Sequence, residues 1–420
     1  MLRKTQVMAI VFVGILFYCY EFFLRILTGA YQSEIVRYFH ITTHIGFSFL
    51  ISSYNLTYLV MQIPAGILLD RYGSRKCLTL ATIACGIGNV LFIAGGYETA
   101  ILGRLIVGIG SAFAFIGILK LSREYLPSKY FGLFAAVVIS LGTLAAAFSQ
   151  QISVWLTQYS ISWIGVFIVC GAVAVPLAGY FWFVIPKAEN MTRLLPQVSQ
   201  IQSVLIAVIK NSALWLNALW AGFLYIPTVV LTSQYGIYLF SGLFHRSAYQ
   251  SSELISILLM GWVVFSPVVA YLSNIVKNVR VLLSLFILFT VISLLLVLGL
   301  QPSVFVRHLS LYVFIFGIFS SAQVLVWQFF NRICPRALSG IALAMTNMII
   351  TGVTEVGQLS SGAILDFSDY FTHHATHSVL LVHGIRSMLM LFIFFVLVAW
   401  LIFLFFSRHY LYPRKNKKML

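Results

Sequence analysis

Charged side chains occur within segments of this chain that are otherwise apolar. Glu21 and Arg25 lie four residues apart in the first such segment, so on a helix they share one face. Arg104 and Glu355 lie within two further apolar segments. A charge inside a membrane costs several kcal/mol and rarely faces lipid, so each of these residues is a functional candidate. Together they offer cations that can bind an anion and carboxylates that can take up a proton when desolvated.

Composition shows what kind of element must position these charges. Of the 420 residues, 61% are hydrophobic and 9% are charged, and the mean hydropathy is +0.99. A soluble protein has about a quarter of its residues charged, so this chain must be covered by lipid. A membrane-spanning helix needs about 20 mostly apolar residues. We therefore predict an all-α membrane protein with twelve transmembrane helices, at 7–29, 44–69, 77–95, 98–121, 130–155, 162–185, 212–240, 250–272, 280–299, 307–330, 338–366 and 380–406.

The placement of the basic residues predicts the orientation of these helices. The net charge of +16 suggests nucleic acid at first sight, but most Lys and Arg fall in alternate connections, on the side of both termini. The opposite side carries only Arg37, Arg246, Arg307 and Arg386. Because positive loops stay in the cytoplasm, both termini are predicted to be cytoplasmic. The partner is the lipid bilayer, with no role for nucleic acid.

One hydrophilic connection near the midpoint divides the chain. It predicts an N-terminal six-helix half at 1–185, a cytoplasmic linker at 186–211 and a C-terminal six-helix half at 212–406, followed by a basic cytoplasmic tail at 407–420. Two six-helix halves suit a transporter that works by alternating access, in which one half rocks against the other around a central site. A single chain holds both halves, so a monomer suffices.

The connection between the second and third predicted helices carries a specific motif. Gly66-Ile-Leu-Leu-Asp70-Arg71-Tyr-Gly73-Ser-Arg75-Lys76 resembles the loop G-x-L-x-D-R-x-G-x-R-K of the major facilitator superfamily. The start of the fourth helix, from Gly103 to Ala112, resembles the second motif of that family, and Arg123-Glu124-Tyr-Leu-Pro127 closes the helix in a typical way. The counterpart loop in the second half, from Ser273 to Arg280, lacks the acidic residue.

The resemblance implies roles for the motif residues. In the family such an aspartate faces the N-terminus of the eleventh helix, where the helix dipole favours an anion. It thereby latches the inner side shut. The implied gating and latch residues are Asp70, Arg71, Gly73, Arg75, Arg123 and Glu124. The basic residues have a simpler interpretation, in which they only hold the loop in the cytoplasm. An acid adds nothing to topology, so the latch is favoured for Asp70.

The resemblance also makes the first and fourth helices line the central cavity. Arg25 and Arg104 come to a similar depth when residues are counted from the outer helix ends, so we predict that Glu21, Arg25 and Arg104 form one substrate-binding cluster. Two arginines and one glutamate leave a net positive site, which suits an anion. The alternative is a structural ion pair in which Glu21 neutralises one arginine. For Lys120, near the inner end of the fourth helix, a side chain that snorkels to the interface is favoured.

Further candidates are polar and aromatic residues of the seventh and tenth helices. The predicted substrate contacts there are Tyr225, Gln234, Gln323 and Trp327. Glu355 has no evident partner at helical spacing, and it or Glu21 is the candidate proton-coupling group. His373, His374 and His377 cluster in a connection near the C-terminus, for which a solvated loop is favoured over a metal site.

These features predict a secondary active transporter rather than an enzyme. No phosphate-binding loop of the form G-x-x-x-x-G-K-[ST] is present, so no cofactor is expected and a proton gradient is the predicted energy source. The leading hypothesis is proton-coupled uptake (symport) of a small organic anion across the bacterial inner membrane. The Tyr20–Arg25 and Phe115–Pro127 stretches resemble importers of phagosomal nutrients and polycarboxylate siderophores, which makes a carboxylate-type siderophore one candidate substrate.

Alternatives stay open on the sequence alone. An amino acid or other zwitterionic nutrient would place its amine on Glu21. Efflux of a drug or metabolite is compatible with the same fold, because fold does not determine substrate. A membrane sensor or enzyme is a reading from another class, but the sequence offers neither a sizeable soluble domain nor a cluster of catalytic side chains.

Overall fold

The computed structural model describes residues 4–41, 44–158, 161–186, 198–299, 308–334, 339–371 and 377–411. Within these ranges the regular structure is helical. The helices are α1 Lys4–Ala30, α2 Gln32–Tyr38, α3 His44–Ile93, α4 Tyr97–Tyr125, α5 Phe131–Gln158, α6 Trp163–Val184, α7 Val198–Ile209, α8 Ser212–Val230, α9 Gly236–Phe244, α10 Ala248–Ile275, α11 Val279–Gly299, α12 Leu309–Ser320, α13 Leu325–Ile333, α14 Ser339–Phe371 and α15 His377–Phe406.

Eleven helical segments of the described chain are long and apolar enough to cross a membrane. One of them, Phe49–Ile93, is 45 residues long and covers two predicted spans. The eleven segments therefore accommodate the twelve predicted transmembrane helices. Large apolar side chains cover their outer surfaces; Phe183, for example, is 85% exposed. Such a surface must face hydrocarbon, so the prediction of a multi-pass, all-α membrane protein is confirmed.

Gly73 divides α3 into two spans. Its backbone angles are φ 80° and ψ 159°, in a region that residues with a Cβ rarely adopt. The helix before Gly73 carries Asp70 at its end, and the helix after it begins with Ser74 and Arg75. The glycine of the motif thus permits the sharp turn that puts Asp70 and Arg71 at a helix end.

Two other predicted spans are built from more than one helical segment. The span predicted at 212–240 consists of α8, a π-helical turn at Leu231–Tyr235 and α9. The span predicted at 307–330 consists of α12, a 3₁₀ turn at Ser321–Val324 and α13. The helices α6 and α8 continue through Pro176 and Pro227, which a membrane bundle tolerates because neighbouring groups satisfy the freed backbone carbonyls.

The chain forms two compact units. The first comprises Met1–Phe134, Leu141–Lys210 and Cys334–Met348, and the second comprises Ala135–Ser140, Asn211–Ile333 and Ile349–Leu420. In the first unit α3 packs along α4 and α6, and α1 packs on α4 and α6. In the second unit α10 packs on α12, and α15 packs on α8 and α11. The charged residues Glu21, Arg25, Asp70, Arg104 and Lys120 all belong to the first unit.

Glycines allow α3 and α4 to approach closely. A Cβ on Gly108 would lie 2.5 Å from the carbonyl oxygen of Tyr54, and one on Gly110 would lie 2.5 Å from that of Ala81. Small residues at such contacts drive helix association in membranes, because lipid supplies no hydrophobic force between helices. The second motif of the sequence therefore brings the backbone of α4 against the backbone that carries Tyr54.

Candidate functional site

The three charged residues predicted to form a cluster do lie together in the first unit. The Arg25 Nη2 atom donates to the Glu21 Oε1 atom at 2.7 Å, and its Nε atom donates to the same oxygen at 3.0 Å. Arg104, on α4, donates from its Nη1 atom to the carbonyl oxygen of Leu24 at 3.4 Å. This contact sets Arg104 beside the turn of α1 that holds Arg25.

Tyr54 of α3 joins these charges. Its hydroxyl donates to the Glu21 Oε1 atom and accepts from the Arg25 Nε atom at 3.1 Å. Its ring lies against both cations, with the guanidinium carbons of Arg104 and Arg25 at 4.6 Å and 5.6 Å from the ring centroid. A cation over an aromatic face gains about 0.5–2 kcal/mol, and more when desolvated. Tyr54 therefore stabilises two arginines that would otherwise repel each other.

The two arginines differ in their surroundings. Arg25 is 29% exposed at its side chain, and Phe22 and Tyr58 also lie against its guanidinium, at 4.8 Å and 4.7 Å from the ring centroids. Arg104 is 3% exposed, its Nε atom has no hydrogen-bond partner, and no carboxylate of the described residues lies within ion-pair distance. The cluster as a whole carries two positive charges and one negative charge. Arg104 is thus a buried cation without an anion at ion-pair distance in the part of the chain that the structure describes.

Polar residues that the sequence analysis missed continue the site along α3. Tyr58 and Gln62 follow Tyr54 at intervals of four residues and face the same way. The Asn347 Nδ2 atom, from the N-terminal part of α14, donates to the Tyr58 hydroxyl at 3.3 Å and to the Gln62 Oε1 atom at 3.0 Å. The helical spacing of polar side chains in an apolar span could have indicated the α3 residues from the sequence. Asn347 is distant in sequence, and its contact with them could not have been predicted.

Asp70 lies at the N-terminus of α14. Its carboxylate accepts hydrogen bonds from the backbone N–H of Gly340 at 3.2 Å and of Ile341 at 3.0 Å. The first N–H groups of a helix have no partner within the helix, and the helix dipole favours an anion there. Gly340 is required for this approach, since a Cβ at that position would lie 2.6 Å from the carboxyl carbon of Asp70.

Lys120 corrects one expectation from the sequence. Its side chain does not snorkel to the interface but is buried and forms an ion pair with Asp70, and its Nζ atom donates to the carbonyl oxygen of Leu69 at 2.9 Å. Glu124, one turn along α4, lies 3.9 Å from the same Nζ atom. A buried carboxylate needs a counter-charge, and the end of the helix before Gly73 brings Asp70 within reach of Lys120.

The other predicted gating residues have separate contacts. The Arg123 Nη2 atom donates to the carbonyl oxygen of Cys334 at 2.8 Å. The guanidinium of Arg75 lies 4.5 Å from the ring centroid of Trp182, and that of Arg71 lies 5.2 Å from the ring centroid of Tyr72. Arg71 is exposed, which is compatible both with a role in the latch and with the simpler role in topology.

The remaining candidates lie in the second unit or outside the description. Glu355 does have a partner at helical spacing, contrary to expectation, because Gln358 three residues later shares its face and donates at 3.4 Å. Gln323 and Trp327 are buried, and Tyr225 is half-buried with its ring 5.9 Å from that of Trp262. The side chains of Gln234 and His377, and His373 and His374 altogether, lie outside the described residues.

Comparison with known proteins identifies the family. The family model described as Major Facilitator Superfamily matches residues 11–357 of the chain. The chain belongs to the Major Facilitator Superfamily. It is a membrane transporter and not an enzyme. The proton:xylose symporter XylE, solved with 6-bromo-6-deoxy-D-glucose, shares the fold with a TM-score of 0.63 at 16% identity, over 94% of this chain and 96% of that one.

Among curated relatives, this superfamily member is similar to several transporters over part of its length. It is 28% identical over 141 residues to the probable galactarate/D-glucarate transporter GudP of Bacillus subtilis, and 27% identical over 135 residues to the probable sulfoacetate transporter SauU of Cupriavidus necator. Each match covers 32% of this chain and 31% of the relative. It is also 29% identical over 104 residues to human facilitated glucose transporter member 12, covering 24% of this chain and 17% of the relative. The chain thus spans about a third or less of these relatives' length.

Proposed function

We propose that this chain is a secondary active transporter that takes up a small organic anion together with protons, by alternating access. The observation that carries the proposal is Arg104, a buried guanidinium with no carboxylate within ion-pair distance among the described residues. An uncompensated buried charge is costly, so it is retained where a ligand supplies the opposite charge. Arg25 beside it is the more exposed cation, so it is the more accessible of the two to an anion.

The named substrates of the relatives support an anion. Galactarate, D-glucarate and sulfoacetate, named for two bacterial relatives, all carry negative charge at neutral pH. They are small carboxylates, and no relative named above is a siderophore transporter. We therefore propose a small carboxylate in preference to the larger iron chelate, and in preference to an amino acid or exported drug.

Glu21 is the proposed proton-coupling group in this site. Its Oε1 atom accepts hydrogen bonds from both Arg25 and Tyr54, so a substrate carboxylate that binds Arg25 competes directly with Glu21. We propose that the Glu21 carboxylate, once displaced from Arg25, carries the proton that enters with the substrate. Glu355 stays a second candidate for coupling, and Tyr225, Gln323 and Trp327 stay candidate substrate contacts.

The motif residues are proposed to control the inner side. Asp70 holds the N-terminus of α14 through two backbone N–H groups and is itself held by Lys120. We propose that release of these contacts accompanies the conformational change, and that Arg71, Gly73, Arg75, Arg123 and Glu124 support the latched arrangement. We also propose that residues 1–185 and 212–406 form the two six-helix halves and that the protein acts as a monomer. Its proposed location is the bacterial inner membrane, with both termini in the cytoplasm. Fluorescence of a C-terminal green fluorescent protein fusion tests the orientation.

Uptake into proteoliposomes tests the function. With a panel of radiolabelled mono- and dicarboxylates outside and an inward proton gradient, we expect accumulation of at least one of them, and we expect an uncoupler to abolish it. Accumulation unchanged by the uncoupler would contradict proton coupling. Arg25→Ala is expected to abolish uptake, with Arg37→Ala on the exposed part of α2 as the matched control. Undiminished transport by Arg25→Ala would contradict the anion site.

A further inference from the structure

The polar stripe on α3 leads away from the two arginines. Tyr54, Tyr58 and Gln62 are spaced by four residues, so each lies about 6 Å further along the helix. The rings of Tyr54 and Tyr58 stack with centroids 6.0 Å apart and planes inclined by 14°. Since Arg25 lies against both rings, the cationic cluster and Gln62 are joined by a continuous row of side chains.

The side-chain nitrogen of Gln62 makes no hydrogen bond to any residue that the structure describes. Gln62 is fully buried at 0% exposure, and its Oε1 atom accepts from Asn347. A buried donor without an acceptor costs about 1–3 kcal/mol, so its retention indicates an acceptor that arrives with a ligand.

The chemistry of this region differs from that of the arginines. Tyr58, Gln62 and Asn347 are all uncharged, and each can both donate and accept hydrogen bonds. Hydroxyl groups also donate and accept, and match such a set. A second carboxylate placed here would be buried away from a counter-ion, which costs several kcal/mol.

We propose that Tyr58, Gln62 and Asn347 form a neutral subsite that binds the hydroxyl groups of a substrate whose carboxylate lies on Arg25 and Arg104. The preferred substrates are then polyhydroxylated monocarboxylates, charged at one end only. This inference rests on the proposed anion site and narrows its ligand class. Galactarate and D-glucarate, for which one relative is named, carry a carboxylate at each end. The proposed preference for one carboxylate would therefore distinguish this chain from that relative.

Asn347 gives the subsite a link to the latch. It lies two turns after Gly340 and Ile341 on α14, and its amide reaches the same helix α3 that ends in Asp70. A ligand hydroxyl that takes the place of Asn347 on Tyr58 and Gln62 removes two hydrogen bonds between α3 and α14 and leaves those of Asp70 in place. Asn347 is therefore a positioning residue for Tyr58 as well as a subsite member.

Binding to the purified full-length protein tests the inference. Calorimetry compares D-gluconate, its diacid D-glucarate, the unhydroxylated hexanoate and the neutral polyol D-glucitol. We expect D-gluconate to bind about tenfold or more tightly than each of the others, since several hydrogen bonds distinguish it from hexanoate and the missing counter-ion disfavours the diacid. Equal binding of D-gluconate and hexanoate, or tighter binding of D-glucarate, would overturn the neutral subsite.

Variants separate this inference from the proposed function. Gln62→Met and Asn347→Leu are expected to weaken the binding of D-gluconate by about tenfold, because the contacts to its hydroxyl groups are lost. The affinity for hexanoate, which has no hydroxyl groups, should stay within about twofold of the wild-type value. Arg25→Gln is expected to weaken every acid alike. If Arg25→Gln weakens the binding of every acid but Gln62→Met changes the affinities for D-gluconate and hexanoate equally, the neutral subsite is contradicted and the anion site is supported. If the wild-type protein binds none of the acids, both fail.

Discussion

The guanidinium of Arg104 lies 4.6 Å from the ring centroid of Tyr54, and the hydroxyl of that ring donates to Glu21. One aromatic side chain of α3 thus connects a cation of α4 with an ion pair of α1. In a protein whose outer surface faces lipid, a buried cation such as Arg104 must find its counter-ion within the protein or in a ligand. The cluster's excess of one positive charge is the feature that defines its ligand.

Replacing Arg104 tests whether that charge binds substrate. We expect Arg104→Gln to raise the KM for carboxylate uptake by about tenfold to a hundredfold, because a charge-assisted contact is lost. Arg104→Lys should be intermediate, since an ammonium keeps the charge but lacks the planar surface that stacks on Tyr54. Arg386→Gln, at an exposed position of α15, is the control. A wild-type KM in Arg104→Gln would contradict the assignment.

The Tyr54 hydroxyl is expected to order the ion pair. Tyr54→Phe keeps the ring beneath both arginines but removes the donor to Glu21 and the acceptor for Arg25. We expect KM to rise by about tenfold, in line with about 1–2 kcal/mol for the lost hydrogen bonds, with little change in the amount of folded protein. Tyr72→Phe makes the same change at an exposed ring that carries Arg71, and should leave uptake unchanged.

The Asp70–Lys120 pair predicts a non-additive effect on stability. Lys120→Gln leaves a buried carboxylate without its cation, and we expect the free energy of unfolding in detergent to fall by about 3–5 kcal/mol. Asp70→Asn should be similarly destabilising. The double variant should lose less free energy of unfolding than the two single variants lose together, because it leaves neither charge unpaired. Strictly additive losses would show that the two side chains do not interact.

The approach of α14 to Asp70 depends on the absence of a side chain at Gly340. A Cβ there would lie 2.7 Å from the Asp70 Oδ2 atom, so Gly340→Ala should displace the carboxylate from the N–H groups of Gly340 and Ile341. We expect transport to fall severalfold. Gly352→Ala, on the same helix, is the matched control, because nothing lies within 4 Å of the added Cβ. Equal activities of the two variants would argue against the contact.

Cys334 provides a reporter of the arrangement beside Arg123. Burial raises the pKa of its thiol above the usual value, and neighbouring Arg123 offsets part of that rise. Because only the thiolate reacts, alkylation by maleimide should be slow at pH 7 and should still accelerate above about pH 8.5, where an ordinary thiol approaches its limiting rate. The measurement uses a variant with the other four cysteines replaced by serine, and the same protein unfolded in detergent serves as the control. Matching profiles in the folded and unfolded protein would contradict burial of the thiol.

The sequence by itself determined the class of this protein. Long apolar segments require a lipid-covered bundle of helices, and the Gly66–Lys76 motif identified a superfamily that the match over residues 11–357 confirms. Helical spacing alone brought Glu21 and Arg25 together, and counting along the helices brought Arg104 near them. These inferences succeed because they depend on hydrophobicity and on helix geometry, which are local properties of the chain.

Only the tertiary structure decided which groups each charge meets. Lys120 turned out to be the partner of Asp70, fifty residues away, and Glu355 turned out to have Gln358 beside it. Tyr54, Tyr58 and Gln62 became site candidates only because Arg25 and Asn347, from other helices, contact them. The physical reason is that inside a membrane each polar group must find its partner within the protein. The choice among distant partners is made by helix packing, which local sequence patterns do not encode.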